Sequence, residues 1–220
     1  MHTDDPMHLW GNLFEYLLVS CCIFRFTVRK TERRIAYALI LLAAPFIISY
    51  ASIVAFASIE INTLGFSGVV AAFIGYFVYV FYEYIKTRYI PTLNFSFPMI
   101  VLSTNLVIVI LRYYLSLVLW SVPLILMLAL WFIMWRKEIL SGGKQAKEKY
   151  KKMPLGKKME NLSAYFFAFY FLFFAFPPML APPAEGAVVN VIAHFAGYLF
   201  GFFVPLLIFD SLPIVGKLRK

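Results

Sequence analysis

Apolar residues occur along this chain in long blocks, with neither the strict alternation of strands nor a single apolar stripe. Seven blocks can be delimited, at approximately 7–26, 35–58, 64–86, 96–111, 115–135, 160–180 and 187–209. Their lengths suit helices crossing about 30 Å of hydrocarbon. A helix satisfies its own backbone hydrogen bonds in such a medium, and the alternating pattern of a membrane barrel is missing. The pattern therefore predicts an all-α polytopic membrane protein of about seven transmembrane helices, forming one domain over 1–220. Composition agrees: the chain is 62% hydrophobic and 14% charged, with a mean hydropathy of +0.81, well outside the usual range of a soluble domain.

A net charge of +9 raises the possibility of nucleic acid, and the location of the charges argues against it. Nineteen of the 20 Lys and Arg fall in Arg25 to Arg34, Lys86 to Arg88, Arg136 to Lys158, and Lys217 to Lys220. With seven spans, all four segments lie on one side. The positive-inside rule makes that side cytoplasmic, with the N-terminus outside and the C-terminus inside a cell membrane. Glu60 and Glu185 then belong to outer loops, and Arg112 snorkels to the outer interface beside Tyr113 and Tyr114. The stretch Arg136 to Lys158, interrupted by Gly142-Gly143, is expected to be a solvated loop near anionic lipid. It offers no aromatic platform for a nucleic acid beyond Tyr150. Cys21 and Cys22, at the inner end of the first span, read as small packing residues and not as a disulfide or metal site. No cofactor is implied, and no cleavable signal peptide is evident, since an acidic Asp4-Asp5 pair precedes the first apolar run.

Polar residues inside spans are costly, so they mark where function is to be sought. Three sets stand out. Gly65-Phe66-Ser67-Gly68 opens the third block, followed by Ala71, Ala72 and Gly75; the small residues also suit plain helix packing. His194, followed by Gly197 and Gly201, lies in the seventh block, where a packed core histidine is the simpler reading. His8 and Asn12, one helical turn apart at the outer end of the first block, also suit an interfacial cap with Trp10. Topology brings the three sets together. Their spans all run from outside to inside, and at 1.5 Å per residue Ser67 and His194 lie roughly 6 and 10 Å below the helix starts, with Asn12 at a similar level. A nucleophile, a base and an amide can then share one outward-opening pocket, with glycines allowing the close approach that a Ser–His hydrogen bond needs.

These residues resemble the motifs of the rhomboid intramembrane serine proteases. Gly65-Phe66-Ser67-Gly68 is similar to the family's Gly-x-Ser-Gly, His194 with Gly197 and Gly201 to its His-x-x-Gly-x-x-x-Gly, and His8 with Asn12 to its His-x-x-x-Asn, in the same order. The resemblance implies a rhomboid-like helical bundle and a serine endopeptidase that cleaves transmembrane protein substrates. It makes Ser67 the nucleophile and His194 the general base. His8, Asn12 and the Ser67 N–H become oxyanion donors. No carboxylate is placed to complete a triad, so a Ser-His dyad follows, with Asn190 a candidate for orienting the imidazole.

The chain departs from the family in three respects. It starts seven residues before His8, so the family's earlier helix and membrane-embedded loop are either truncated or truly lacking. Ala71 occupies a position where members often carry an aromatic that packs on the histidine. Three spans separate the serine and histidine helices where the family core has one, and 96–135 is the expected inserted pair. The competing readings are a pseudoprotease that binds transmembrane helices without cutting them, and a small transporter, for which Glu15, Asn105 and Pro123 are the few candidate residues.

Overall fold

The described part of the chain, in this computed structural model, comprises residues 6–55, 66–94, 96–114, 118–181 and 191–211. Its helices are α1 (Pro6–Phe26), α2 (Lys30–Ala55), α3 (Phe66–Arg88), α4 (Ser96–Tyr113), α5 (Val118–Lys151), α6 (Leu155–Phe173), the single turn α7 (Phe176–Met179) and α8 (Val191–Leu206). A π-helical turn, Leu207–Ser211, continues α8. Six spans within these helices are long and apolar enough to cross a membrane. The outward faces carry large apolar side chains, such as Leu42 at 70% and Phe46 at 78% exposure. Apolar surface on that scale suits lipid and not water, as in a multi-pass membrane protein.

Helix α3 is the axis of the bundle, buried almost without interruption from Ser67 to Glu83. Ring contacts fix the direction of its neighbours. Tyr16 of α1 packs edge-on against Phe66 and Phe73, and Phe26 meets Phe81 and Tyr84, so α1 runs parallel to α3. Tyr37 of α2 packs on Phe73, while Ile48, later in the chain, lies over Gly68; α2 is therefore antiparallel. Helix α8 is parallel to α3, with Gly197 against Gly68 and Tyr198 against Gly75. The parallel course of α1, α3 and α8 is the arrangement expected from the apolar pattern.

Charge collects at the far end of α3 from Ser67, roughly 25 Å away by helical rise. There Arg29 pairs with Glu32 at 2.9 Å and Glu83 at 3.3 Å, and Lys86 lies 3.8 Å from Glu83. Arg25 reaches Glu160 at 3.5 Å. These pairs tie the α1–α2 turn to α3 and α1 to α6. Glu60 and Glu185 lie outside the described residues, so their expected place in outer loops is not addressed by this fold.

One expectation needs correction. The stretch from Arg136 is not a loop: α5 continues through it to Lys151 and passes Gly142-Gly143 unbroken. Each glycine costs a helix interior about 1 kcal/mol relative to alanine. At Gly142 the cost is offset by close packing, since a Cβ there would come within 2.6 Å of Ile90. The run expected at 160–180 is one of the six spans, Leu155–Met179, but its helix is broken partway. Helix α6 ends at Phe173, the Phe174 and Ala175 N–H groups both bond to the Tyr170 carbonyl, and α7 restarts with Pro177 and Pro178 in its first turn. Proline lacks the N–H that would continue α6 but suits a helix start.

Candidate active site

Ser67 lies in the first turn of α3, and His194 lies in the first turn of α8. Both side chains are buried, each residue being 8% exposed. What lets two helices present short polar side chains to each other is a crossing with almost no side chains in it. A Cβ at Gly197 would fall 2.1 Å from the Gly68 carbonyl oxygen, one at Gly201 1.8 Å from that of Ala72, and one at Gly75 2.1 Å from that of Tyr198. The backbones are in direct contact, a geometry in which Cα–H groups meet carbonyls. Gly68 differs. Its Cβ would meet Ile48 side-chain atoms at 3.1 and 3.2 Å, so there α2 seals the crossing from behind.

At this crossing His194 Nε2 is 2.8 Å from Ser67 Oγ, and His194 Nδ1 is 2.6 Å from the carbonyl oxygen of Met179. A carbonyl can only accept, so Nδ1 carries the proton and donates it to Met179. In the neutral ring Nε2 is then the lone-pair nitrogen, and Ser67 Oγ–H donates to it. The arrangement is a base already aimed at a hydroxyl, with a main-chain oxygen occupying the position of a third member.

Met179 holds this position because α7 is pinned on two sides. The Phe176 ring stacks on Tyr198 of α8, with centroids 3.7 Å apart and planes 15° from parallel. Beyond Met179, Tyr114 Oη donates to the Leu180 carbonyl at 3.2 Å. Tyr198 is one turn after His194 on the same helix face, so the histidine and the loop that orients it share one anchor. Tyr114→Phe removes one of the two pins. We expect it to cost about 1 kcal/mol of stability and to loosen the imidazole, measured by thermal unfolding and by the NMR line width of the His194 ring. An unchanged line width would show that the Phe176 stack suffices.

The remaining sequence candidates separate. Asn12 is buried at 8% exposure. It stands one turn before Tyr16, whose ring packs on Phe66, so it lies on the face that α1 turns to α3, near the level of the Ser67 turn. His8 belongs to α1, but its side chain lies outside what is described, as do Gly65 and Asn190. Ala71, at the position where the resembled family often carries an aromatic, is fully buried; the imidazole is held by the Met179 carbonyl. That carbonyl was missed by sequence reasoning because main-chain atoms carry no residue signature. The Pro177-Pro178 pair inside an apolar run was the available signal that the chain turns there.

Among the transporter candidates, Asn105 is fully buried and donates from Nδ2 to the carbonyls of Val101 (2.9 Å) and Leu172 (2.8 Å), tying α4 to α6. That is a helix-packing role. No family model, curated protein or solved structure matches the chain, and the case for its chemistry is the geometry of Ser67, His194 and Met179.

Proposed function

We propose that the protein is an intramembrane serine endopeptidase of rhomboid type, cleaving transmembrane protein substrates. The observation that carries this reading is the continuous chain Ser67 Oγ–H to His194 Nε2, then Nδ1–H to the Met179 carbonyl. Serine is a weak nucleophile until a base takes its proton. Here the base is preset in the correct tautomer and shielded from water. As Ser67 Oγ attacks a peptide carbonyl, its proton passes to Nε2. The imidazolium, stabilised through Nδ1–H, then protonates the leaving amine, and the acyl-enzyme is released by water after deprotonation by the same ring. The Ser67 N–H, in the first turn of α3, and the Asn12 amide are the proposed oxyanion donors, with His8 added by the resemblance. The intact hydrogen-bond chain weighs against the pseudoprotease reading.

Covalent labelling with a fluorophosphonate probe tests the proposal. The purified protein should label, and Ser67→Ala should not; equal labelling of the two would overturn it. Asn12→Ala separates a catalytic from a structural part for that residue. As an oxyanion donor its loss should lower kcat about 10²–10³-fold with little change in KM. A fall in thermal stability with kcat per folded molecule intact would leave Asn12 as a packing residue only.

We further propose that the charged end of the bundle is cytoplasmic, with Ser67 near the outer face of a cell membrane. A cysteine replacing Glu148 in a Cys21→Ser, Cys22→Ser background should react with an impermeant maleimide only after permeabilisation. Reaction in intact cells would invert the topology.

A further inference from the structure

At the charged end of the bundle, far from Ser67, a cavity of about 510 Å³ opens between the last turns of α3, the charged half of α5 and the start of α6. Its volume is that of an ordinary small-molecule site. Tyr84, Ile85, Tyr89 and Ile90 form one wall, and Gly143 and Lys147 of α5 face them.

Three tyrosine hydroxyls and the Asn161 amide of the lining already have hydrogen-bond partners. Tyr165 Oη is shared between Tyr84 Oη at 3.1 Å and Tyr89 Oη at 3.0 Å. Asn161 accepts from Arg25 at 2.7 Å and donates to Met153 Sδ at 3.1 Å. What is left facing the space is apolar wall: ring faces, isoleucine side chains and the bare backbone of Gly143, where a Cβ would meet nothing within 4 Å.

The rim, by contrast, is cationic. Residues 136–158 hold nine Lys and Arg against two Glu, which decides the sign of the field over the opening. Lys147 is exposed at the mouth. Lys149 Nζ donates to the Arg88 carbonyl at 3.3 Å and lies 5.0 Å from the Tyr89 ring centroid, while Lys158 sits 5.9 Å from that of Tyr150. Glu160, the nearest carboxylate on α6, is taken by Arg25. The basic helix ends at Arg25, Lys86 and Arg88 mark this level as that of lipid headgroups.

We propose that this cavity binds one anionic phospholipid of the surrounding bilayer. Its phosphate sits at the Lys147 rim, and its glycerol and first methylenes lie on the wall of Tyr84, Tyr89, Ile85 and Ile90. An apolar wall with a fixed cationic rim matches an anionic amphiphile better than a soluble anion, which would leave the wall uncovered, or a zwitterionic lipid, whose choline would bring a positive charge back to a cationic rim.

The test uses the full chain in detergent, with thermal unfolding followed on addition of phosphatidylglycerol, phosphatidylcholine or sn-glycerol 3-phosphate. A ligand of the folded state raises Tm. Phosphatidylglycerol should raise it by several degrees and the other two should not. Gly143→Leu puts a bulky apolar side chain on a lining residue whose Cβ meets no atom within 4 Å and removes a helix-interior glycine, so it should fold at least as well as the parent and lose at least half of the shift. Lys147→Gln should do the same at the rim, whereas Lys144→Gln, of equal charge but outside the lining, should keep the full shift. An undiminished shift in either Gly143→Leu or Lys147→Gln, an equal loss in Lys144→Gln, or an equal effect of phosphatidylcholine or glycerol phosphate would overturn the proposal.

Discussion

Gly201→Ala, the addition of one methyl group, is expected to destabilise the bundle severely and to abolish covalent labelling at Ser67. The added carbon would lie 1.8 Å from the Ala72 carbonyl oxygen. That oxygen belongs to the backbone of the central helix and cannot step aside. Overpacking a core typically costs about 1–3 kcal/mol and occasionally more, and a collision with backbone belongs at or beyond the upper end. Relief comes only from separating α3 and α8, which stretches the 2.8 Å Ser67–His194 contact. Two other glycines grade the effect. Gly68→Ala meets the flexible side chain of Ile48 at 3.1 Å, and Gly11→Ala meets nothing within 4 Å. We expect a loss below about 1.5 kcal/mol for the first, and for the second no loss or a gain of up to about 1 kcal/mol from helix propensity. Thermal unfolding of the three variants in one detergent, with probe labelling in parallel, gives the order directly. Gly201→Ala as stable as Gly11→Ala would show that the two helices do not cross in backbone contact.

The second large effect concerns the base. If His194 takes the Ser67 proton, His194→Ala should lower turnover by about 10⁴-fold or more, with residual rate coming from binding and oxyanion donors alone. Loss of a buried imidazole also orphans the Ser67 hydroxyl and the Met179 carbonyl, so some stability will be lost. Rates on a fluorogenic transmembrane peptide in micelles should therefore be divided by the folded fraction from circular dichroism. Retention of more than about one hundredth of the normalised rate would exclude His194 as the base, because general-base loss in a coupled pair is far larger than that. The ratio to Ser67→Ala is informative in its own right. Members of one proton relay act as a unit, so the double variant should be scarcely slower than either single one.

Both expectations rest on features that differ in how far they can be read from residues. Helical spans were legible because the apolar runs at 7–26, 64–86 and 187–209 have only one good way to cross hydrocarbon. The parallel course of α1, α3 and α8 followed from counting spans. Ser67 and His194 were legible because a hydroxyl and an imidazole within apolar runs are costly unless used, and the glycines after them marked helices that pack closely. Charge was less well read. The basic stretch after Trp135 was expected as a loop because Gly142-Gly143 penalises a helix locally, yet Gly142 against Ile90 and Lys149 against Tyr89 hold it helical. Those are contacts between segments more than 50 residues apart, which no local propensity contains.

Residue pattern alone carried the all-helical build, the parallel course of the site-bearing helices and the identity of the two side chains that face each other. How the histidine is held came from long-range packing. A carbonyl has no side-chain signature, and its place at Met179 depends on a turn after Phe173, a ring stack between Phe176 and Tyr198, and a hydroxyl from Tyr114. The same holds for which small residues matter. Gly68, Gly75, Gly197 and Gly201 look alike as a small-residue pattern, but the distance from each absent Cβ to a carbonyl or to a yielding isoleucine differs. That distance is set by the helix crossing and separates a tolerated methyl from one that parts the helices.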